Sequence, residues 1–275
     1  MSPSSQPQGP PQPHPLAPLR GFPQEVVDRP LAGFARDYAD AHATGRHSHA
    51  RAQLLYATAG VMRIATDAMA YVVPPGRALW VPAGMPHSVT MQGPVAMRAL
   101  FLRADAAAAG PAGSAVMGVS PLLRALVLAA CAEPLEWDPA GRAGHVAALI
   151  LDEIARAPAL PLGVPAVRDA RLARLAAALQ AEPASPLTVE AWAETCGASP
   201  RTLARLFQRE TGMSFGRWRQ LLRLSEAAAL LARGVPPARA AAAVGYASAP
   251  AFGAAFRAAF GVTPGARPNG HADSA

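Results

Sequence analysis

The feature that most constrains the fold is a pattern that occurs twice in the C-terminal part of the chain. Residues 188–212 and 238–261 each contain a short helical stretch, a glycine, a serine followed by a second helical stretch, and a final glycine. Ser199 and Ser248 precede these second helices, where a serine hydroxyl accepts a hydrogen bond from a free backbone N–H. The glycine between the helices permits the left-handed backbone of a tight turn. Two such copies predict two helix-turn-helix modules.

The second helix of each copy has one apolar stripe, formed by Leu203, Leu206 and Phe207 in the first copy and by Phe252, Ala255 and Phe256 in the second. A single long helix is predicted between the copies, over residues 214–233. Recognition helices that lie about one turn of DNA apart can enter successive major grooves. The arrangement therefore predicts an all-α domain that binds double-stranded DNA.

Residues 21–118 have a different character. Their apolar runs, such as 53–58, 71–73 and 97–102, are short and are separated by Gly and Pro. Such runs are typical of strands joined by turns. The chain is therefore predicted to be a multi-domain β + α protein with an all-β N-terminal unit and an all-α C-terminal domain.

Composition shifts define the remaining boundaries. The segment after Ser120-Pro121 has helical spacing, and residues 158–166 contain three prolines and a glycine. The predicted division is a disordered Pro-rich tail (1–20), an effector-binding β domain (21–118), a helical dimerisation or packing segment (119–157), a linker (158–166), the DNA-binding domain (167–268) and a second tail (269–275).

The distribution of charge supports a polyanionic partner. All 25 basic residues are arginine, which indicates a composition bias, so the high isoelectric point by itself carries little weight. Residues 1–165 contain 12 Arg and 11 acidic residues, whereas residues 166–275 contain 13 Arg and 7 acidic residues. A basic C-terminal half is expected for a domain that binds nucleic acid.

The sequence also excludes several classes of protein. It contains no uncharged apolar run of the length that spans a membrane, and its N-terminus has no secretion-signal pattern. The two cysteines, Cys131 and Cys196, do not form a disulfide framework and fit a reducing compartment. These observations predict a cytoplasmic protein without membrane partners.

Over residues 167–268, the chain resembles the DNA-binding domain of the AraC/XylS-type transcription regulators. The resemblance rests on the motifs Ser199 to Phe207, Glu210 to Phe215, Trp218-Arg219, Val244 to Tyr246, Ala251-Phe252, Ala255 to Arg257, Phe260-Gly261 and Thr263-Pro264. It implies a DNA-binding regulator, usually an activator, that forms a homodimer and contacts RNA polymerase. The dimer face would be the segment 119–157, for which packing against the β domain is an equal alternative.

Positions on the first recognition helix predict the contacts with DNA. Arg201, Ala204 and Arg205 are the candidates for base edges, because arginine binds guanine O6 and N7 with two hydrogen bonds. Thr202, Arg209 and Arg219 are the candidates for phosphate contacts.

The second recognition helix departs from the family pattern. Its exposed face begins with Ser248, Ala249 and Pro250 and continues with Ala and Gly. Beyond the capping serine, these side chains contain no hydrogen-bond donor, so the helix is expected to dock through backbone N–H groups and thymine-methyl contacts. Sequence reading is therefore predicted to concentrate on the first module.

The β region resembles cupin domains. His47 and His49 are followed by Gln53 and Gly60, and Gly76 is followed by Pro82 to Gly84 and then His87, with the spacing of the two cupin motifs. The resemblance implies a cupin-type barrel in which the three histidines and Gln53 converge, with Gln53 in place of the usual Glu. Three imidazoles suit Zn, Ni, Cu or Fe(II).

Two other interpretations of the histidines remain: they line a pocket for a small organic effector, or they satisfy hydrogen bonds in the core. Five large side chains are candidates for the effector pocket or for plain core packing: Tyr56, Met62, Trp80, Met85 and Met91.

Three classes of function are consistent with this sequence. The first is a regulator whose N-terminal domain senses a small molecule or metal ion. The second is a cupin oxygenase or isomerase fused to a DNA-binding domain, which the loss of the carboxylate at Gln53 disfavours. The third is an architectural DNA-binding protein that senses nothing, which would leave the histidines without a role.

Overall fold

The computed structural model describes residues 21–160 and 162–265. The predicted tails, 1–20 and 269–275, lie outside these ranges. The N-terminal half is rich in β-sheet and the C-terminal half is helical, as the sequence predicts. Within the described ranges, no helix is long and apolar enough to cross a lipid bilayer.

One eight-stranded sheet forms the N-terminal domain, after a short helix α1 (Pro23–Val26). Its strands are β1 (Leu31–Tyr38), β2 (Ala52–Thr66), β3 (Met69–Val73), β4 (Arg77–Val81), β5 (His87–Leu102), β6 (Ala115–Gly118), β7 (Ala159–Leu160) and β8 (Val164–Pro165). The main path is β1-β5-β2-β4-β6-β7, and β3 pairs with both β2 and β8. The long strands β2 and β5 pair along most of their length, so they organise the whole sheet.

The predicted cupin-type barrel is not confirmed. Among the described residues, the path of the sheet ends at β1 on one side and at β7 on the other, and these two strands do not pair with each other. A closed barrel requires every strand to have a neighbour on both sides. The N-terminal domain is therefore an open, sheet-rich domain.

Two helices, α3 (Pro121–Ala132) and α4 (Arg142–Arg156), cover one face of this sheet, after the short helix α2 (Ala104–Ala107). Ser120 caps α3, because its hydroxyl accepts a hydrogen bond from the N–H of Leu123. A Cβ atom on Gly33 would lie 2.4 Å from the carbonyl oxygen of Ala130, so glycine permits the close approach of α3 to β1. The segment 119–157 therefore packs on the sheet, and its outer side exposes Leu122 and Leu149.

The C-terminal domain consists of α5 (Ala170–Ala181), α6 (Val189–Thr195), α7 (Pro200–Thr211), α8 (Phe215–Ala232), α9 (Pro237–Ala243) and α10 (Ala249–Phe260). Ser199 and Ser248 accept backbone hydrogen bonds at the starts of α7 and α10, and Gly197 and Gly245 have φ angles of 61° and 78° in the turns that precede them. Both predicted helix-turn-helix patterns and the long helix between them are thus present.

The segment 158–166 is not the loose linker that its prolines predict. It forms β7 and β8, which pair with β6 and β3. The carbonyl oxygen of Pro165 also accepts a hydrogen bond from the indole of Trp218 on α8, at 2.9 Å. Proline lacks an N–H group but keeps its carbonyl oxygen, so it can still contribute to the edge of a sheet.

Candidate ligand site and nucleic-acid interface

Three histidines meet inside the N-terminal domain. His47, His49 and His87 are 5%, 5% and 1% exposed, and one ring nitrogen from each lies within 4.8 Å of the others. The backbones of His47 and His87 exchange hydrogen bonds of 2.9 and 2.8 Å, which holds the two motifs side by side. The structure therefore brings together the histidines that the two separate motifs predict.

Hydrogen bonds orient each ring. Nδ1 of His47 donates to the carbonyl oxygen of Gly45 at 3.0 Å, and Nδ1 of His87 donates to that of Met85 at 3.0 Å. Nδ1 of His49 donates to Oε1 of Glu25 at 2.7 Å. Because a carbonyl or carboxylate oxygen can only accept, each Nδ1 carries the proton, and each Nε2 keeps a lone pair.

Two buried polar atoms of this cluster have no hydrogen-bond partner among the described residues: Nε2 of His87 and Oε1 of Gln53. Burial lowers the pKa of His87 to about 4 and also lowers the pKa of His47. Both rings are therefore neutral near pH 7, which is the form that binds a metal ion. An orphaned imidazole nitrogen and an orphaned amide oxygen are donors that a divalent transition metal accepts.

Sequence analysis did not identify Glu25. It lies on α1, outside both motifs, and its second carboxylate oxygen accepts a hydrogen bond from the N–H of Ala50 at 3.1 Å. A carboxylate that receives the outer N–H of a metal-ligating histidine fixes the ring and increases its basicity. No spacing in the sequence points to this residue, because only the fold brings α1 against His49.

A cavity of about 300 Å³ lies beside the histidines. Its walls are largely aromatic and aliphatic, and they include Phe22, Phe34, Tyr38, Leu55, Phe101 and the guanidinium-bearing Arg36. The rings of Phe22 and Phe101 contact His49 edge-on, with centroid distances of 5.4 and 5.1 Å. This volume is at the lower end of the range for small-molecule sites.

The five residues predicted for the effector pocket do not line this cavity. Tyr56 and Trp80 lie on the opposite face of the sheet and pack in the core beneath α3 and α4. The reason is alternation along β2, because Gln53 and Leu55 face the cavity and Tyr56 must then face away.

The methionines are displaced for another reason. Two register shifts between Ala57 and Val61 change the parity of β2 and place Met62 on the same face as Leu55. Met62 pairs with Met91, which lies four residues beyond His87 on β5, so both methionines lie farther along the sheet than the histidines. Met85 is partly buried against that core.

Helix α7 presents the predicted base-reading residues to solvent. Arg201, Ala204 and Arg205 are exposed, whereas Leu203 and its apolar neighbours are buried. Arg209 is also exposed, and it lies 3.8 Å from the carboxylate of Glu210. Both arginines of the first turns are therefore free to approach a nucleic acid.

Two of the predicted phosphate contacts have protein partners. The hydroxyl of Thr202 is hydrogen-bonded to Ser199 at 2.9 Å. The guanidinium of Arg219 donates to the carbonyl oxygen of Leu187 at 2.8 Å and lies over the ring of Phe215. Arg219 thus ties α8 to the loop before α6 through Nη1, and its contact with phosphate stays a prediction.

Helix α10 begins as its sequence predicts. Ser248 caps the helix through the N–H of Ala251, and Ala249 and Pro250 are exposed at its first turn. Its exposed start offers small apolar side chains where α7 offers arginine.

Comparisons with known proteins agree with this arrangement. A model of the AraC-like ligand binding domain matches residues 31–181, and a model of a helix-turn-helix domain matches residues 192–267. The chain belongs to the AraC family of transcription regulators. AraC-type regulators combine an N-terminal ligand-binding domain with a C-terminal DNA-binding domain, and this chain has both.

The chain is also similar to individual proteins. The chain is 29% identical over 219 residues to the HTH-type transcriptional regulator NimR of Escherichia coli K12, and the match covers 80% of each protein. It is 41% identical over 109 residues to the HTH-type transcriptional regulator RipA of Corynebacterium glutamicum, which covers 40% of this chain and 32% of RipA. ToxT of Vibrio cholerae aligns over 86% of this chain and 97% of its own, with 8% identity and a TM-score of 0.36.

The alternative of a cupin metalloenzyme is not favoured for this AraC-type regulator, because its relatives are named as transcriptional regulators.

The AraC-type DNA-binding domain has a central arginine that sequence analysis also missed. Arg223 on α8 donates to the carbonyl oxygens of Pro183 at 2.8 Å, Ser185 at 3.0 Å and Gly245 at 3.2 Å. The first two acceptors precede the first module, and the third lies in the turn of the second. One guanidinium thus joins the connecting helix to the loop before the first module and to the turn of the second.

Proposed function

We propose that this AraC-type regulator binds a divalent transition metal ion at His47, His49 and His87, with Gln53 as a further oxygen donor, and that the metal controls its binding to promoter DNA. The observation that carries the proposal is the set of three Nδ1 hydrogen bonds, which leave three Nε2 lone pairs free in one buried cluster. The metal would be Zn, Ni, Cu or Fe(II), because neutral imidazoles suit these ions.

In this proposal, Arg201 and Arg205 read base edges in the major groove, and Arg209 contacts phosphate. Ala204 contacts a base through its methyl group, and Ser248, Ala249 and Pro250 dock the second module. We expect a homodimer, a contact with RNA polymerase and a cytoplasmic location, because promoter DNA is located there.

The first experiment is elemental analysis by mass spectrometry of the tag-free protein and of the His47→Ala/His87→Ala variant. About one equivalent of a transition metal is expected in the parent and none in the variant. His145→Ala is the matched control, because His145 is exposed on α4 and lies outside the cluster. A parent protein that binds no metal, even after incubation with zinc(II) or nickel(II), would refute the proposal.

The aromatic cavity favours a second candidate, a small organic effector. An ion with one bound water occupies only a fraction of about 300 Å³, and the remaining walls are largely aromatic and aliphatic. A metal-free protein whose thermal stability increases with a small aromatic compound, and loses that response in Phe101→Ala, would support this candidate over the metal.

A further inference from the structure

A pair of charged side chains joins the N-terminal sheet to the DNA-binding domain. Nη1 and Nη2 of Arg63 on β2 donate to the two carboxylate oxygens of Glu226 on α8, at 2.7 and 2.5 Å. Nε of Arg63 donates to the side-chain oxygen of Gln92 at 3.1 Å. The Glu226 side chain is only 13% exposed. This two-point geometry is the strong form of an arginine–carboxylate contact, and we call it the Arg63–Glu226 clasp.

Apolar and backbone contacts surround the clasp. Val61 and Val72 of the sheet pack with Ala229, one turn beyond Glu226 on α8. Nη2 of Arg77 on β4 donates to the carbonyl oxygen of Phe260, at the end of the second recognition helix α10, at 3.1 Å. The sheet thus holds both the connecting helix and the second module. The recognition residues of α7 and the start of α10 stay exposed.

One strand segment lies between the clasp and the histidine cluster. At the start of β5, His87 and Val89 face the histidine cavity, whereas Ser88 and Thr90 line a second cavity of about 480 Å³ between the sheet and α8. Thr90 is the direct strand partner of Arg63. Because Ser88 and Thr90 lie on the same strand as His87 and point to its opposite face, a displacement of His87 would also move Thr90, which pairs with Arg63 of the clasp.

We propose that the Arg63–Glu226 clasp is the contact through which occupancy of the histidine site sets the position of α8, and with it the affinity for DNA. This proposal rests on the proposed function, because the metal is the ligand that would occupy the histidine site. The clasp itself is formed by residues outside that site. Arg63 and Glu226 are positioning residues, since neither contacts the metal site nor the exposed recognition surface. Allosteric coupling requires that the two sites, here the histidine site and the DNA-binding surface, bias the same two-state element. That element is the position of α8 against the sheet.

The test is a double-mutant cycle on the full chain. A DNA site is first selected from random sequences by the wild-type protein, and its dissociation constant is then measured by fluorescence anisotropy with zinc(II) and with a chelator. We expect zinc(II) to change the wild-type constant by about fivefold or more, which is the usual lower range of allosteric coupling. In Arg63→Ala and in Glu226→Ala, the ratio of the dissociation constants measured with zinc(II) and with chelator should fall to about one. The exchanged pair Arg63→Glu/Glu226→Arg should again bind DNA with a constant that depends on zinc(II).

Arg98→Ala is the matched control. Arg98 also forms an arginine–carboxylate pair, with Asp37 at 2.9 Å, but both partners lie within the sheet. It should keep the wild-type ratio. Single variants that fold, as judged by circular dichroism, and that keep the wild-type ratio would overturn the proposal.

A failure of the metal hypothesis would look different. The wild-type protein would then bind DNA with the same dissociation constant with zinc(II) and with chelator. The clasp would be tested by the metal-free dissociation constants alone. Arg63→Ala and Glu226→Ala should shift the constant by the same factor, and the double variant Arg63→Ala/Glu226→Ala should shift it no further. Additive shifts, or no shift at all, would overturn the clasp independently of the metal.

Discussion

Replacing Arg223 by methionine removes the guanidinium that joins α8 to the loop before the first helix-turn-helix module and to the turn of the second, but it keeps most of the apolar stem. The change deletes three hydrogen bonds of 2.8, 3.0 and 3.2 Å to backbone carbonyl oxygens. A hydrogen bond to a charged group contributes about 1.5–3 kcal/mol, and the partial exposure of Arg223 lets water replace some of this. We therefore expect the free energy of unfolding to fall by about 3 kcal/mol, at the upper end of typical substitutions.

The assay is urea-induced unfolding of the full chain followed by far-UV circular dichroism. The unfolding free energy of Arg223→Lys should lie between that of the wild type and that of Arg223→Met, because an ammonium group lacks the planar fork that spans three acceptors. Arg233→Met is the control, since Arg233 is exposed at the end of the same helix, and it should change stability by less than about 0.5 kcal/mol.

The same variant has a consequence for DNA binding. With the modules no longer held by one side chain, the protein should tolerate a change of one base pair in the spacing of the two groove contacts better than the wild type does. Equal unfolding free energies for Arg223→Met and Arg233→Met, together with an unchanged spacing preference, would refute the assignment of Arg223 as the joint between the modules.

Four further outcomes are expected. Glu25→Gln should weaken metal affinity by about 10–100-fold, measured in competition with a chromogenic chelator, because the amide oxygen accepts from only one of the two N–H donors that face the carboxylate. Glu133→Gln, which changes the ion pair with Arg142, should leave the metal affinity unchanged. Arg205→Ala should cost about 1–3 kcal/mol on the selected DNA and little on unrelated DNA; an equal loss on both would identify a phosphate contact. In a binding-site substitution series, base changes opposite α10 should weaken DNA binding less than base changes opposite α7. Equal losses of affinity at both positions would contradict the prediction that α10 docks through backbone N–H groups and thymine-methyl contacts. Gly33→Ala should lower the melting temperature of the protein, because the added Cβ would lie 2.4 Å from a carbonyl oxygen of α3. An unchanged melting temperature would show that α3 can move away from β1.

The sequence predicted the helical domain well because its determinants are local. Such determinants act within a few residues of chain. A serine caps α7 and α10, and a glycine with positive φ follows each of α6, α7, α9 and α10. The histidine cluster was predictable for a related reason. His47 and His49 lie in one short motif and His87 in another, and the resemblance of these two motifs to those of cupin domains implied that the three histidines converge.

The tertiary structure decided whatever depends on distant parts of the chain. Two register shifts in β2 lie between Ala57 and Val61, so the face of Met62 could not be assigned by counting from Gln53, whereas Tyr56 precedes the shifts and follows simple alternation. Whether β1 and β7 pair depends on the path of the whole sheet, and so the barrel closure was not predictable.

Long-range polar contacts have the same origin. Glu25, Arg223 and the Arg63–Glu226 clasp join residues that are 22 to 163 positions apart in sequence. An isolated charged residue in a sequence carries no sign of its partner, because a hydrogen bond depends on the few ångströms between two atoms, and only the folded chain sets that distance. The sequence by itself therefore determined which modules form, and the tertiary structure decided how the ligand site and the DNA-binding modules are held together.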